Sequence, residues 1–289
     1  MRFLLSVFAT IFVAIAPAAA ADVSAIHVKV SGKEGAPPIL FLPGLASDGA
    51  VWDGIIPAFE NTHEVHVATL AGFAGKPPVE GPFVETRLNA IRDYLDEHEL
   101  EDVTLVGHSL GGFMAMRLAI DAPEHTGKIV IVDSVPFLAQ FFLGAMNAEQ
   151  AIPRASAMRD QLVQLTDEQF KVQQMQVAAS QSDNPEKQEL ILKWSLASDR
   201  ETVANAMYEL LATDLRPQLS EITVPMLVLY PWREGGPFAA AQTDAAYAAQ
   251  YDNAQTASLK RIDDAVHFMM YSKPDEVIAE ITSFIGASH

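Results

Sequence analysis

One stretch constrains this chain more than any other: Val103-Thr104-Leu105-Val106-Gly107-His108-Ser109-Leu110-Gly111-Gly112. Its apolar, β-branched start reads as a strand buried on both faces. The run then passes through Gly-x-Ser-x-Gly straight into a helical pattern from Leu110 to Ala122. Such a passage needs a bend so tight that its central residue is held in a strained conformation, with its side chain raised at the strand's carboxyl end. Small residues must flank it, because strand and helix nearly touch there. The helix amino terminus also directs free N–H groups at any negative charge that develops. Ser109 is therefore the candidate nucleophile, and the Leu110 N–H a candidate oxyanion donor. A bare Gly-x-Ser-x-Gly arises by chance in roughly one chain in ten of this length, so its placement carries the meaning.

That placement is in the middle of an alternating chain. Short β-rich runs occur at Ile26 to Val30, Ile39 to Leu42, Val65 to Ala68, Val103 to Val106, Ile129 to Val132, Met226 to Tyr230 and Thr256 to Ile262. Between them lie helical stretches such as Glu85 to Glu97, and the last helix runs from Pro274 to Ile285. Strand and helix in alternation specify an α/β fold, with a mostly parallel central sheet of about eight strands flanked by helices.

One interval interrupts the alternation. Between Val135 and Ile222 the pattern is helical throughout: Thr166 and Gln169 form a capping box, and Asn184-Pro185 and Asp199 start two further helices. The expected organisation is a core of residues 21–134 and 223–289 carrying a helical cap inserted at 135–222. The cap opens on the apolar Phe137, Leu138, Phe141, Phe142 and Leu143. These side chains either pack the insertion onto the sheet or line an apolar substrate pocket.

With these residues in view, the chain resembles α/β-hydrolase fold proteins that carry a helical cap, a group that includes carboxylesterases and carbon–carbon bond hydrolases. The resemblance spans nearly all of the chain after its first 20 residues. Leu42-Pro43-Gly44-Leu45 is similar to the family's oxyanion loop, which implies the Leu45 N–H as the second oxyanion donor. His-Gly is commoner there than Pro-Gly, so a side chain that often buttresses the loop is missing. Trp52 and Asp53 match the usual opening of the next helix. Thr69 stands where the family often has an aspartate, usually a structural one.

The resemblance also implies a general base. Of the eight histidines, His267 alone lies between the last strand and the C-terminal helix, where the family places its catalytic histidine. His108 neighbours Ser109, but its side chain should point away, into the oxyanion loop or the pocket wall. Two positions are open for the orienting acid. Asp133 follows the strand that ends at Val132, and some relatives carry the acid there. Glu234 follows the strand Val224 to Tyr230, where most relatives carry an aspartate. Strand-end placement favours Asp133; Asp244 and Asp263 are more distant choices.

The implied chemistry is acyl transfer through an acyl-enzyme, with a small or medium, apolar acyl ester as substrate. No metal or other cofactor is called for. The same fold also supports carbon–carbon hydrolysis, peptidase, lactonase and perhydrolase chemistry, or ligand binding without turnover. The formal net charge of −18 argues against nucleic acid and is otherwise a matter of solubility; the expected partner, a small-molecule substrate, follows from the implied chemistry. Arg2, an apolar run from Phe3 to Ala16, Pro17 and Ala18-Ala19-Ala20 form the pattern of a secretory signal peptide over residues 1–20, which would export the protein to the periplasm or the medium. There is no cysteine, so the folded domain is held without disulfides.

Overall fold

A computed structural model describes residues 24–286, and the expected signal peptide lies outside them. The sheet has seven strands, in the order β1-β3-β2-β4-β5-β6-β7. They are β1 (Ile26–Gly32), β2 (Pro38–Leu42), β3 (Glu64–Leu70), β4 (Val103–His108), β5 (Thr126–Val132), β6 (Met226–Trp232) and β7 (Ala257–Asp263). β1 runs antiparallel to β3, and every other pairing is parallel. The expected eight strands are thus seven: each β-rich run of the sequence became one strand, and no eighth strand joins the sheet among the described residues.

The central strands are apolar on both faces because both faces are covered. One side of the sheet buries Leu40, Leu42, Leu105, Ile129, Ile131 and Val228 against α1 (Phe83–Glu97), α2 (Leu110–Asp121) and α8 (Ala240–Gln250). The other buries Phe41, Val106, Val130, Val132 and Leu229 against Trp52 and α9 (Pro274–Gly286). Consecutive residues of β4 and β5 feed opposite layers, as a two-residue period requires. Trp52 closes a short 3-10 turn, Gly49–Trp52, and not an α-helix. That turn is fixed by the Thr69 hydroxyl, which accepts the Gly49 N–H at 2.9 Å. The threonine standing in the usual aspartate position therefore still anchors the loop after β2.

Between β5 and β6 the chain forms α3 (Leu138–Leu143), α4 (Ala148–Gln164), α5 (Asp167–Gln181), α6 (Pro185–Ala197) and α7 (Arg200–Ala212). Helices α5, α6 and α7 start at the caps legible in the sequence: Thr166 with its reciprocal Gln169, Asn184 and Asp199. These helices are tied to the core by polar contacts as well as packing. The Glu209 carboxylate accepts the Phe83 and Val84 N–H groups at 2.5 and 2.8 Å, capping α1, which lacks a capping side chain of its own. Gly72 and Gly75 meet the 197–199 turn through backbone hydrogen bonds of 2.7 and 3.0 Å.

Candidate active site

Ser109 sits at the bend between β4 and α2 with φ 53° and ψ −119°, a region that residues with a Cβ rarely occupy. The bend is enforced by close approach. A Cβ on Gly107 would lie 2.2 Å from the Gly111 carbonyl oxygen, and one on Gly111 would lie 2.3 Å from that of Leu42. The Ser109 N–H is held by the Val132 carbonyl at 3.0 Å. Leu110 opens α2, so its N–H has no acceptor within the helix. Across the turn, Gly44, Leu45, Ala46 and Ser47 line the same cavity as Ser109, and Ala46 is also in the left-handed region, with φ 53°.

His267 follows β7 and lines that cavity too. Its Nδ1 lies 2.6 Å from Oδ2 of Asp133. Asp133 is the first residue past β5, at φ 46°, and its N–H is held by the Leu229 carbonyl of β6 at 2.8 Å. Ser109 and Asp133 thus stand at the carboxyl ends of adjacent strands; Asp133 bonds His267, and Ser109 lines the same cavity as His267. Glu234, by contrast, is exposed in the loop after β6 and makes no hydrogen bond to His267. Asp244 and Asp263 are both taken up by Arg261.

The tautomer of His267 follows from its partner. A carboxylate can only accept, so Nδ1 carries the proton and Nε2 is left with a lone pair. The second oxygen of Asp133 accepts a hydrogen bond from the Tyr247 hydroxyl on α8. Burial, and next the Asp133 charge, push the Tyr247 phenol well above its usual range, so it stays a donor. Tyr247 is fixed in turn by stacking on Tyr230, with ring centroids 4.3 Å apart. Nothing in the sequence around Tyr247 announces this contact; it arises because α8 packs beside the end of β5.

His108 does turn away from Ser109. Its ring is fully buried, edge-on to Trp52, and Nε2 donates to the His267 carbonyl at 3.1 Å. Burial, and then the neighbouring His267, hold this imidazole well below its ordinary value, so it stays neutral. The residue beside the nucleophile therefore ties down the loop that carries His267. It also fills the space behind Gly44, where a Cβ would lie 2.9 Å from its Nδ1.

The cavity over these groups has a volume of about 220 Å³. Its far wall comes from α4 to α7, including Leu162, Leu165, Val177, Ile191, Val203 and Met207. The apolar segment from Phe137 to Leu143 takes no part in it. Phe137 is buried with Ala139, Ala151, Ala155 and Leu211 instead, while Phe141 and Phe142 are 42% and 69% exposed. Of the two roles open to this segment, packing is the one Phe137 performs, because α3 lies to one side of the site and α4 to α7 cover it.

A family model described as the alpha/beta hydrolase family matches residues 39–280. A pimeloyl-[acyl-carrier protein] methyl ester esterase from Vibrio cholerae is 30% identical over 235 residues, covering 80% of this chain and 88% of that protein. Among solved structures, a hydrolase from Pseudomonas aeruginosa superposes with a TM-score of 0.74 at 22% identity, over 91% of this chain and 94% of the other. The enol-lactonase from Burkholderia xenovorans gives 0.71 at 19% identity, over 91% and 96%.

Proposed function

The chain belongs to the alpha/beta hydrolase family, and on that premise we propose that it is a serine carboxylesterase, with Ser109 as nucleophile, His267 as general base and Asp133 as the acid that orients the base. The observation that carries this reading is the 2.6 Å contact between Asp133 Oδ2 and His267 Nδ1, in a cavity shared with a serine at φ 53°.

In this reaction His267 Nε2 takes the hydroxyl proton as Ser109 Oγ attacks the ester carbonyl carbon. Negative charge moves to the carbonyl oxygen, where the Leu45 and Leu110 N–H groups receive it. The tetrahedral intermediate collapses, and the proton held by His267 passes to the departing alkoxide. Water, deprotonated by His267 in turn, attacks the acyl-enzyme and releases the acid. Asp133 orients the ring and stabilises the imidazolium at each stage. An ester is favoured over an amide because an alkoxide departs more readily than an amine. The cavity volume of about 220 Å³ suits a small or medium acyl group, and much of its wall is aliphatic.

A fluorophosphonate probe with a panel of short p-nitrophenyl esters tests the reading. Stoichiometric labelling at Ser109 with ester turnover, both lost in Ser109→Ala, is the expected result. Tight ligand binding with neither labelling nor turnover would overturn it in favour of a binding protein.

A further inference from the structure

The buried stripe of α5 contains a residue that packing does not call for. Phe170, Gln174 and Ala178 recur every four residues and face inward, yet the middle one is an amide, only 9% exposed. Core-facing stripes are apolar because a buried amide left without a partner loses its hydrogen bonds to water. Gln174 makes no side-chain hydrogen bond with another described residue, and it lines the cavity above Ser109. On the neighbouring helix α6, Ser195 repeats the situation: it is 6% exposed, lines the same cavity, and its hydroxyl has no partner among the described residues. Ser198, one turn on, bonds back to the Trp194 carbonyl at 2.8 Å, the usual resolution for a helical serine.

Two largely buried residues from two helices therefore line one cavity with hydrogen-bonding capacity that no described residue uses. Gln181, whose side chain also has no hydrogen-bond partner among the described residues, lines the same wall. The charge of the lining is equally informative. No carboxylate contributes to it, and its one permanent cation, Arg159, is engaged by Asp160 at 2.8 Å and lies over the Tyr208 ring. A charged substituent would find no free counter-ion here. A group that donates and accepts without charge would find a matching amide and a hydroxyl.

We propose that Gln174 and Ser195 form a specificity subsite for an uncharged hydrogen-bonding group, a secondary amide, carried on the ester away from its scissile bond. The inference rests on the ester-hydrolase reading and refines its substrate class from a plain aliphatic acyl ester to an amide-bearing one. Gln174 accepts the substrate N–H and donates to its carbonyl, with Ser195 as second donor. Both are specificity residues and take no part in bond breaking. An analogue with alkyl in place of the amide leaves them buried and unpaired, which is how such sites reject a misfit.

The test compares p-nitrophenyl acetamido-alkanoates of increasing chain length with methyl-branched alkyl isosteres of the same shape. The wild-type enzyme is expected to favour the amide member by at least about tenfold in kcat/KM at one or more lengths. Gln174→Met, similar in length but without donor or acceptor, is expected to erase most of that ratio. Ser195→Ala on the other helix serves as a second variant should the first fail to fold. Hydrolysis of both series at ratios near one overturns the subsite and leaves the esterase reading standing. Absence of turnover together with absence of fluorophosphonate labelling overturns the esterase reading, and the subsite with it.

Discussion

Asp133 and His267 are 134 positions apart in the chain, yet their carboxylate oxygen and ring nitrogen meet at 2.6 Å. Asp133 can reach because it is held at φ 46° directly past β5, with its N–H on β6, so its side chain turns toward the loop after β7. Glu234, on the loop where relatives commonly carry the acid, points into solvent.

These placements make the two carboxylates separable by substitution. Asp133→Asn is expected to lower ester kcat by about 10⁴-fold, because an amide facing Nδ1 no longer selects the working tautomer. Glu234→Gln is expected to leave kcat unchanged. Steady-state turnover of one p-nitrophenyl ester by both variants decides it; the reverse pattern would move the acid to Glu234.

Tyr247 acts through Asp133, so its removal should read as a loss of positioning. Tyr247→Phe removes a hydrogen bond to a charged group and is expected to lower kcat about tenfold with KM little changed. In the Asp133→Asn background the same substitution should cost almost nothing, since residues that act as one unit are not additive. Equal losses in the two backgrounds would reduce Tyr247 to a packing residue.

Acid sensitivity follows from His108. Burial holds its imidazole well below the ordinary 6.5, so in acid the unfolded chain binds a proton that the folded chain refuses. Stability is therefore lost as pH falls below 6.5, by up to about 1.4 kcal/mol per pH unit for one excluded proton. His66, lowered chiefly by burial, adds to the slope in the same direction. Urea midpoints measured at pH 7.5 and about two units lower should differ more in the wild type than in His108→Gln. A variant with an unchanged slope would show that other groups govern the acid limb.

The tie between the inserted helices and α1 is a matter of stability. Glu209→Ala leaves the Phe83 and Val84 N–H groups without their carboxylate. A destabilisation of about 1–2 kcal/mol is expected, comparable with loss of a helix cap. Thermal unfolding measures it, and an unshifted midpoint would show that water replaces the carboxylate at no cost.

Much of the fold was legible because its signals are local. The apolar runs at 103–106 and 129–132 became central strands, and Thr166, Asn184 and Asp199 began the helices that their side chains could cap. The seven β-rich runs match the seven strands, whereas the 3-10 turn ending at Trp52 depends on what lies alongside it. Phe137 was legible as apolar, but only the path of α3 decided that it would pack beside the site and not line it.

By itself, the sequence determined the bend at Ser109. Gly107 admits that conformation, and Gly111 only a few residues on excludes anything larger at its position. Tertiary structure alone decided which carboxylate meets His267, that Tyr247 holds that carboxylate, and that Gln174 and Ser195 face one cavity. The physical reason is range. Backbone strain and capping act within a turn, whereas these pairings depend on the order of strands in the sheet and on how the helices beside and above it pack, neither of which is encoded within any one segment.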